Sequence, residues 1–401
     1  MENLNKYEKN LERQFKKIDE IALFNQKKVL DSFADCKITT QCFAGTTGYG
    51  YDDQGRDKLA SVFAKVFKTE KAIVSPLITC GSHAISIVLY GLLRPGDTIL
   101  SISGQLYDTL YDTLFGKENG SLENFGVKFK QVELAENNFD ENAILKALKK
   151  YKPKVVFVQR SRGYTNRKAL SIKQMEEIFA VIKKSKNHPF IVVDNCYGEF
   201  VEEKEPTEVG ADVIVGSLIK NPGGGLAPTG AYICGTTKAI DMISTRFTSP
   251  SLMLEVGSFE MGYRLFYQGL FMAPHTVSQA LKGAMLVGEV MKAKGFKIIP
   301  SNDELPDDII KSVIFDSEEQ LVKFVQLVQK ISPIDSFIVP LPWDMPGYQD
   351  KVIMAAGTFV SGASIELSCD SPIKKPYIAY FQGGLTYEHI KIFAQELDKL
   401  Y

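Results

Sequence analysis

The sequence predicts an α/β protein in two parts, a doubly wound and mostly parallel sheet followed by a smaller α+β domain. From about residue 57 to residue 235, short apolar segments alternate with helical segments, which is typical of such a sheet. After about residue 296 the pattern changes to short strands, proline-rich turns and a terminal helix. The length of 401 residues exceeds one ordinary domain and favours two domains in close contact.

The individual elements follow from the spacing of apolar residues and the positions of turn residues. Residues 1 to about 35 have apolar side chains at helical spacing, and residues 44–56 form a loop rich in glycine and tyrosine. Further helices are expected over about 57–68, after Gly81, and over 141–151, 171–185, 275–295 and 386–399. Seven strands are predicted for the sheet, over 72–74, 98–101, 127–132, 155–158, 190–194, 213–215 and 230–234.

These elements predict an N-terminal helical arm over residues 1–45, a large domain over 46–274 and a small domain over 275–401. The net charge of -1 gives no strong field for nucleic acid or an anionic membrane. No run of 18 apolar residues occurs and the chain starts with polar residues, so we expect a soluble, cytoplasmic protein. The six cysteines and four histidines are scattered, which predicts reduced thiols and no metal site.

Two apolar strands end in polar residues whose chemistry is distinctive. The strand over 190–194 ends in Asp194, and Lys220 follows the next strand and opens a glycine-rich loop. Burial of a lysine is costly, so we expect a lowered pKa and a nucleophilic amine. A strand-end aspartate followed by a strand-end lysine in successive αβ units is the arrangement that holds pyridoxal phosphate, with the lysine attached to the cofactor and the carboxylate on its ring nitrogen. The alternatives are an exposed lysine and a turn or cap aspartate.

Other residues complete this candidate cofactor site. Gly81 and Ser82 open an apolar helix, whose N-terminal N–H groups could bind the phosphate, although an ordinary helix cap explains them equally well. Ser217, three residues before Lys220, could donate to the same phosphate or merely cap the strand end. Tyr107 follows a strand end, where its ring could stack on a planar cofactor or lie half-buried.

Three arginines and a tyrosine are candidates for binding anions. Tyr51 and Arg56 lie in or beside the glycine-rich loop, which could reach the site of a neighbouring subunit and bind phosphate there. Arg160 and Arg162 follow the strand over 155–158 and could clamp a substrate carboxylate. The alternatives are a solvated loop and two surface arginines.

Several segments resemble the fold-type I pyridoxal-phosphate enzymes of cysteine and methionine metabolism, the cystathionine lyase and methionine γ-lyase group. The Tyr-containing loop, the Gly81-Ser82 turn, Tyr107, Asp194 and the Ser217–Lys220 pair are similar to motifs of that group. More narrowly, the chain resembles the branch known as aluminium-resistance or methionine γ-lyase-related proteins. The segments that carry this narrower likeness are GYGYDDQGR (48–56), QRSRGY (159–164), KNPGGGLAPTGAY (220–232) and FQGGLTYEH (381–389).

The resemblance implies an aspartate aminotransferase-like large domain, pyridoxal 5'-phosphate as cofactor, and a homodimer or dimer of dimers with active sites at the subunit interface. It also implies a carbon–sulfur lyase for a sulfur-containing amino acid such as cystathionine or methionine, with Lys220, Tyr107 and Asp194 as catalytic residues. One departure concerns the substrate carboxylate, which the group binds with a C-terminal arginine, because this chain has no arginine after Arg264. Arg160, Arg162 or the lysines at 374 and 375 are the candidates for that task.

Two kinds of rival function stay open. The first is another enzyme on the same scaffold, either an aminotransferase or a desulfurase. A desulfurase needs an exposed nucleophilic cysteine, for which Cys369 is the loop candidate. The second is a degenerate binding or regulatory protein, which the absent C-terminal arginine favours and the intact Lys220 and Asp194 disfavour.

Overall fold

The computed structural model describes residues 2–116, 120–346 and 348–401. The helices are α1 (Glu2–Asp35), α2 (Gln54–Val66), α3 (Gly81–Leu92), α4 (Asp108–Phe115), α5 (Glu141–Tyr151), α6 (Ile172–Lys183), α7 (Thr237–Ser244), α8 (Arg264–Ala293), α9 (Glu318–Ile331) and α10 (Tyr387–Leu400). The strands are β1 (Lys71–Ser75), β2 (Thr98–Ser101), β3 (Lys128–Gln131), β4 (Leu134–Ala135), β5 (Asn138–Phe139), β6 (Val155–Gln159), β7 (Phe190–Asp194), β8 (Val213–Ser217), β9 (Ala231–Gly235), β10 (Lys297–Ile299), β11 (Ile310–Phe315), β12 (Val352–Ala355), β13 (Ser368–Pro372) and β14 (Tyr377–Gln382).

The larger sheet has seven strands in the order β1-β9-β8-β7-β6-β2-β3. Strands β8, β7, β6, β2 and β3 pair in parallel, whereas β9 lies antiparallel between β1 and β8. The prediction of a mostly parallel seven-stranded sheet is confirmed. The parallel order places the carboxyl ends of β6, β7 and β8 side by side, where ligands bind in open α/β sheets.

Both faces of this sheet are covered at its centre, which explains why β6, β7 and β8 are apolar up to their last residues. In β7, Ile191 and Val193 pack with α2, α6 and α8 on one face, while Phe190 and Val192 pack with α3 and α7 on the other. The alternation follows from the two-residue period of a strand. The central strands are therefore rigid supports for the polar residues at their ends.

The second part of the chain is built on a five-stranded antiparallel sheet in the order β10-β11-β14-β13-β12. Its core joins this sheet to α9, α10 and the C-terminal half of α8, whereas the N-terminal half of α8 packs in the core of the large sheet. Helix α8 thus connects the two cores and runs across residue 274, where the sequence predicts a domain boundary. Among the described residues, no helix is long and apolar enough to cross a bilayer.

Two helices begin earlier than the sequence predicts. Helix α2 starts at Gln54 because the Asp53 carboxylate accepts a hydrogen bond of 2.9 Å from the backbone N–H of Arg56 and caps the helix. Helix α8 starts at Arg264 and includes Pro274, a residue that usually interrupts helices. The buried Phe266 and Leu270 extend its apolar face on the N-terminal side of Pro274.

Candidate active site

A cavity of about 700 Å³ opens at the carboxyl edge of the large sheet, where residues of the second part of the chain also line it. Its lining includes seven of the sequence-predicted site residues: Gly81, Ser82, Tyr107, Arg162, Asp194, Ser217 and Lys220. A groove of about 730 Å³ along the outer face of α1 is lined by none of them. The geometry therefore brings most of the candidate residues together at one place.

Lys220 lies three residues beyond the end of β8 and reaches the cavity over the ring of Tyr197. Its Nζ atom is 4.2 Å from the centroid of that ring. Burial lowers the pKa of Lys220, but the neighbouring Cys196, Tyr197 and Asp194 outweigh this and raise the pKa well above its ordinary value. The expected lowering of this pKa is therefore wrong for the chain alone, because acidic neighbours stabilise the ammonium form.

Asp194 is the last residue of β7, and its side chain is buried in the wall of the cavity. Its Oδ1 atom accepts a hydrogen bond of 3.2 Å from the Cys196 N–H group. Burial raises the pKa of Asp194, whereas the charge of Lys220 and the hydrogen bonds from Cys196 lower it. The two groups are a carboxyl and an amine that share one poorly solvated space.

The N-terminus of α3 faces the same cavity through Gly81 and Ser82. A methyl group placed on Gly81 would lie 3.6 Å from Cβ of Ser217, an ordinary van der Waals distance, which shows that the helix end lies close to the end of β8. Ser82 Oγ lies 2.9 Å from the hydroxyl oxygen of Tyr107. The backbone N–H of Tyr107 in turn donates to Gln159 Oε1 at 3.1 Å, which fixes this residue against the end of β6.

Tyr51 and Arg56 do not line this cavity. Arg56 is buried, and its guanidinium donates to Asp57 Oδ1 at 2.9 Å and to the Gly50 carbonyl at 3.0 Å. The side chain of Tyr51 is 56% exposed and stacks on Tyr49, with ring centroids 5.5 Å apart. Their role in a neighbouring subunit's site stays a prediction.

Arg160 is placed away from the cavity, which argues against the predicted role in substrate binding. Its side chain is fully buried behind the sheet edge. The guanidinium donates to the carbonyls of Leu170 and Gly198, to Asn195 Oδ1 at 3.0 Å and to Glu202 Oε1 at 2.7 Å. These hydrogen bonds anchor the segment after β6. Because they engage the buried guanidinium of Arg160, this residue is a poor candidate for binding the substrate carboxylate.

Arg162 lines the cavity, but its charge is already neutralised. Its Nη2 atom lies 2.9 Å from Asp308 Oδ1, and both side chains are 1% exposed. Further hydrogen bonds from its guanidinium go to Ser312 Oγ and to the carbonyls of Ile299 and Ile310. This residue joins the two parts of the chain, and its engaged guanidinium argues against the predicted substrate contact.

Sequence reasoning missed four charged residues of the described cavity wall: Glu133, Asp350, Arg167 and Asp370. Arg167 lies in the segment after β6, where the sequence predicts site roles only for Arg160 and Arg162. Asp370 lies in β13, and burial raises its pKa to about 6. The position of Asp370 depends on the packing of the second sheet, which no local pattern encodes.

The remaining candidates of the second part occupy different environments. Lys374 lines the cavity mouth and pairs with Asp350 at 2.9 Å, whereas Lys375 is exposed and outside the lining. Cys369 is buried in β13 rather than exposed in a loop, and burial raises the pKa of its thiol well above the ordinary value. The expected nucleophilic loop cysteine of a desulfurase is therefore contradicted.

The fold and the site define a class of protein: an α/β chain that presents a strand-end lysine, a strand-end carboxylate and a helix N-terminus to one cavity. The chain belongs to the methionine gamma-lyase family, whose model, described as Methionine gamma-lyase, matches residues 1–400. The sequence resemblance to this group is confirmed.

Individual relatives agree with this membership. A Bacillus subtilis (strain 168) protein named as the uncharacterized protein YnbB is 48% identical over 380 residues, which cover 94% of this chain and 90% of that protein. A solved structure from Clostridium novyi NT, described as a carbon-sulfur lyase involved in aluminum resistance, is 46% identical. Its TM-score is 0.95, and the match covers 99% of this chain and 95% of the Clostridium novyi chain.

A more distant structure establishes the fold. The pyridoxal-5'-phosphate dependent protein YhfS from Escherichia coli is 16% identical, with a TM-score of 0.64, over 96% of this chain and 97% of that chain. The predicted fold, that of the pyridoxal-phosphate enzymes related to aspartate aminotransferase, is confirmed. Family and fold together imply pyridoxal phosphate as the cofactor.

Proposed function

We propose that this chain is a pyridoxal-phosphate-dependent carbon–sulfur lyase that acts on a sulfur-containing amino acid of the cystathionine or methionine type. The observation that carries the proposal is the meeting of Lys220 and Asp194 in one cavity, at the ends of the adjacent strands β8 and β7. Membership of the methionine gamma-lyase family supports the reaction class. The description of the Clostridium novyi protein as a carbon-sulfur lyase supports it further.

The chemistry of the cavity wall fits pyridoxal phosphate. The cofactor needs an amine, a carboxylate, an anion site and an apolar or aromatic wall, and Lys220, Asp194, the α3 N-terminus and Tyr107 supply these. The N-terminus of α3 lies beside Ser217, whose hydroxyl is a further donor: a methyl group placed on Gly81 would lie 3.6 Å from Cβ of Ser217.

Bound pyridoxal phosphate supplies an electron sink for bonds broken at the substrate's α-carbon. In the proposal Lys220 Nζ would hold the cofactor and, once released, would move the α-proton of the substrate. Asp194 would keep a proton on the ring nitrogen, and Gly81, Ser82 and Ser217 would bind the phosphate. Tyr107 would stack on the ring and would protonate the leaving group with its hydroxyl, which lies 2.9 Å from Ser82 Oγ at the cavity wall.

The proposal includes a homodimer, alone or as half of a dimer of dimers, with active sites at the subunit interface. Two observations support this: Tyr51 and Tyr49 stack on each other in an exposed loop, and neither belongs to the cavity of its own chain. A loop of this kind is suited to reach the phosphate site of a second copy. Arg56, whose guanidinium binds the Gly50 carbonyl, fixes the base of that loop.

An aminotransferase is the enzyme alternative, and a binding protein without turnover is the alternative from another class. The absence of any arginine after Arg264 is the observation that favours the second. A desulfurase that uses Cys369 is disfavoured because this residue is buried, whereas the exposed Cys80 lies in the cavity lining. Product analysis separates these functions, since a lyase releases ammonia without a keto-acid acceptor, whereas an aminotransferase requires one.

The test is incubation of the purified protein with L-cystathionine or L-methionine, followed by measurement of ammonia and thiol with and without a keto acid. We expect release of both products without the keto acid, and loss of that release in Lys220→Ala. Lys238→Ala, a change at an exposed helical lysine, is the control and should keep full activity. Transfer of the amino group to the keto acid, without release of ammonia or thiol, would establish the aminotransferase instead.

A further inference from the structure

We propose that Arg167 binds the carboxylate of the amino-acid substrate and thereby restricts the site to amino acids with a free α-carboxylate. This inference rests on the proposed function and deepens it. The chain has no C-terminal arginine to bind the substrate carboxylate. The inference assigns this task to the segment after β6. Arg167 lines the same cavity as Lys220 and Asp194.

The charges of the cavity wall leave Arg167 as the cation that needs an anion. The described lining includes four cationic side chains: Lys220, Arg162, Arg167 and Lys374. Arg162 pairs with Asp308 and Lys374 pairs with Asp350, while Lys220 is assigned to the cofactor. Among the described residues, no carboxylate lies within ion-pair distance of Arg167.

The hydrogen bonds of Arg167 hold its charge in place without neutralising it. Its Nη1 atom donates to the Lys168 carbonyl at 2.9 Å and to the Arg160 carbonyl at 3.4 Å. Its Nη2 atom donates to the carbonyls of Gln159, at 3.1 Å, and Ser161. In the described part of the chain Nε–H has no partner, so one donor and the whole positive charge are available to a ligand.

The surroundings make this charge costly unless an anion is bound. Burial, together with the smaller effect of the charge of Arg162, lowers the pKa of Arg167 to about 10. A carboxylate in the cavity would reverse both effects, because a paired ion is stabilised where an isolated one is not. The free Nε–H group can donate one charge-assisted hydrogen bond to that carboxylate.

The position of Arg167 also suits a substrate bound at the reacting centre. Its anchoring carbonyl on Gln159 belongs to the last residue of β6, which is paired in register with Asp194 of β7. The guanidinium is therefore held beside the strand end that carries the ring-binding carboxylate. A carboxylate bound at Arg167 would lie on the same sheet edge as the proposed cofactor site. The α-carboxylate has to lie there because it is attached to the reacting carbon.

The test compares L-norleucine with L-norleucinamide by calorimetric titration of the cofactor-loaded protein. Norleucine has the shape of methionine without its sulfur leaving group, and the amide lacks only the carboxylate charge. We expect the wild-type protein to bind the acid about 30-fold more tightly than the amide, or more, since a buried charge pair is lost with the amide. Arg167→Gln should bind acid and amide equally, with affinity for the amide unchanged.

Two further variants make the test specific. Arg167→Lys keeps a charge but loses the planar guanidinium that four backbone carbonyls hold in place, so it should retain only part of the preference for the acid. Arg94→Gln is the matched control, since Arg94 also donates only to backbone carbonyls, those of Tyr90, Gly91 and Leu93, but is exposed and outside the cavity. It should leave the preference intact.

The visible spectrum separates failure of this inference from failure of the proposed function. If the wild-type protein shows no cofactor band, the proposed function fails. If the band is present but the wild-type protein binds acid and amide alike, or binds neither, Arg167 is not the carboxylate site. Should Arg167→Gln not fold, an unchanged acid preference in Arg167→Lys overturns the inference by itself.

Discussion

At the scale of single residues, the site depends on a carboxyl group and an amine that share a poorly solvated space. Burial opposes the charged form of both Asp194 and Lys220, but each favours the charged form of the other. The mutual stabilisation keeps an anion ready for a ring nitrogen at one side and a cation at the other. Removal of either charged group therefore shifts the pKa of the other group.

The first prediction concerns that coupling. Asp194→Asn removes one of the charges that raise the pKa of Lys220, so the cofactor-free variant should have a lower pKa at this amine. The pH dependence of Lys220 labelling by an amine-reactive reagent, read by peptide mass mapping, measures it. Labelling should extend to lower pH in the variant than in the wild-type protein. An unchanged labelling profile, matched by the surface control Asp241→Asn, would contradict the coupling.

The second prediction concerns Glu199, a buried residue five positions beyond Asp194. Burial raises its pKa to about 8, although the hydrogen bond of 2.7 Å from the Tyr232 hydroxyl lowers it; the nearby Glu205 and Lys220 have opposite, smaller effects. The folded protein thus retains a proton that the unfolded chain releases near pH 4.5. Stability should fall as pH rises from about 5 to 8 on this account.

Glu199→Gln removes the titrating proton while keeping the shape of the side chain. The pH-dependent loss of unfolding free energy between pH 5 and 8 should shrink by an amount on the order of 4 kcal/mol. Asp307 and Asp370 have pKa values raised by burial to about 7 and about 6, and they stay in both proteins, so the difference isolates Glu199. Urea unfolding at a series of pH values provides the measurement, and identical slopes would exclude the effect.

At the scale of elements, the segment between β6 and α6 organises the site. Arg160 anchors it inwards to the loop after β7, Arg162 ties it to the second part of the chain, and Arg167 closes it on its own carbonyls. One short segment thus holds the cavity wall through three arginines with three different tasks. Their sequence spacing alone does not distinguish them, because the deciding partners are distant in the chain.

The third prediction concerns the buried Arg162–Asp308 pair. Asp308→Asn leaves the guanidinium without its counter-charge, and we expect the free energy of unfolding to fall by about 3 kcal/mol. The exposed pair of Lys168 and Glu304 joins neighbouring positions of the same two segments, so Glu304→Gln is the matched control. It should cost less than about 1 kcal/mol. Equal losses in urea unfolding would refute the distinction between the two pairs.

The strands of the large sheet could be predicted from the sequence because all of them except β3 are largely apolar runs bounded by turn residues. The ends of β2, β7 and α5 fall where the pattern places them. Helix α8 begins before its predicted start because tertiary packing overrides the local signal of Pro274. Asp194 and Lys220 could also be predicted, because the apolar strands indicate where the polar residues that follow them lie. Asp370 could not be predicted, because its place depends on the fold of the second sheet.

At the scale of the whole molecule, two cores share one helix and enclose one cavity. The large sheet supplies Lys220 and Asp194, while the smaller sheet supplies Asp370 to the same space. The substrate is expected to contact both. The exposed loop with Tyr51 is the part of the proposed site that does not belong to the described lining of this cavity.

The fourth prediction tests whether Tyr51 acts across a subunit interface. Lys220→Ala and Tyr51→Ala proteins should each be impaired, but a re-equilibrated equal mixture should recover up to about a quarter of wild-type activity. In a mixed dimer, one of the two sites would combine an intact Lys220 with an intact Tyr51. Verified mixed dimers without recovered activity would show that Tyr51 does not serve the partner's site.

The most direct test of the central claim is to locate the cofactor on the chain. The purified protein is loaded with pyridoxal phosphate, reduced with borohydride and digested, and the peptides are mapped by mass spectrometry. We predict that the mass of the reduced cofactor is found on the peptide that contains Lys220, and that Lys220→Ala carries none. Cofactor mass on a different lysine, or on none, would contradict the assignment of this cavity as a pyridoxal-phosphate site.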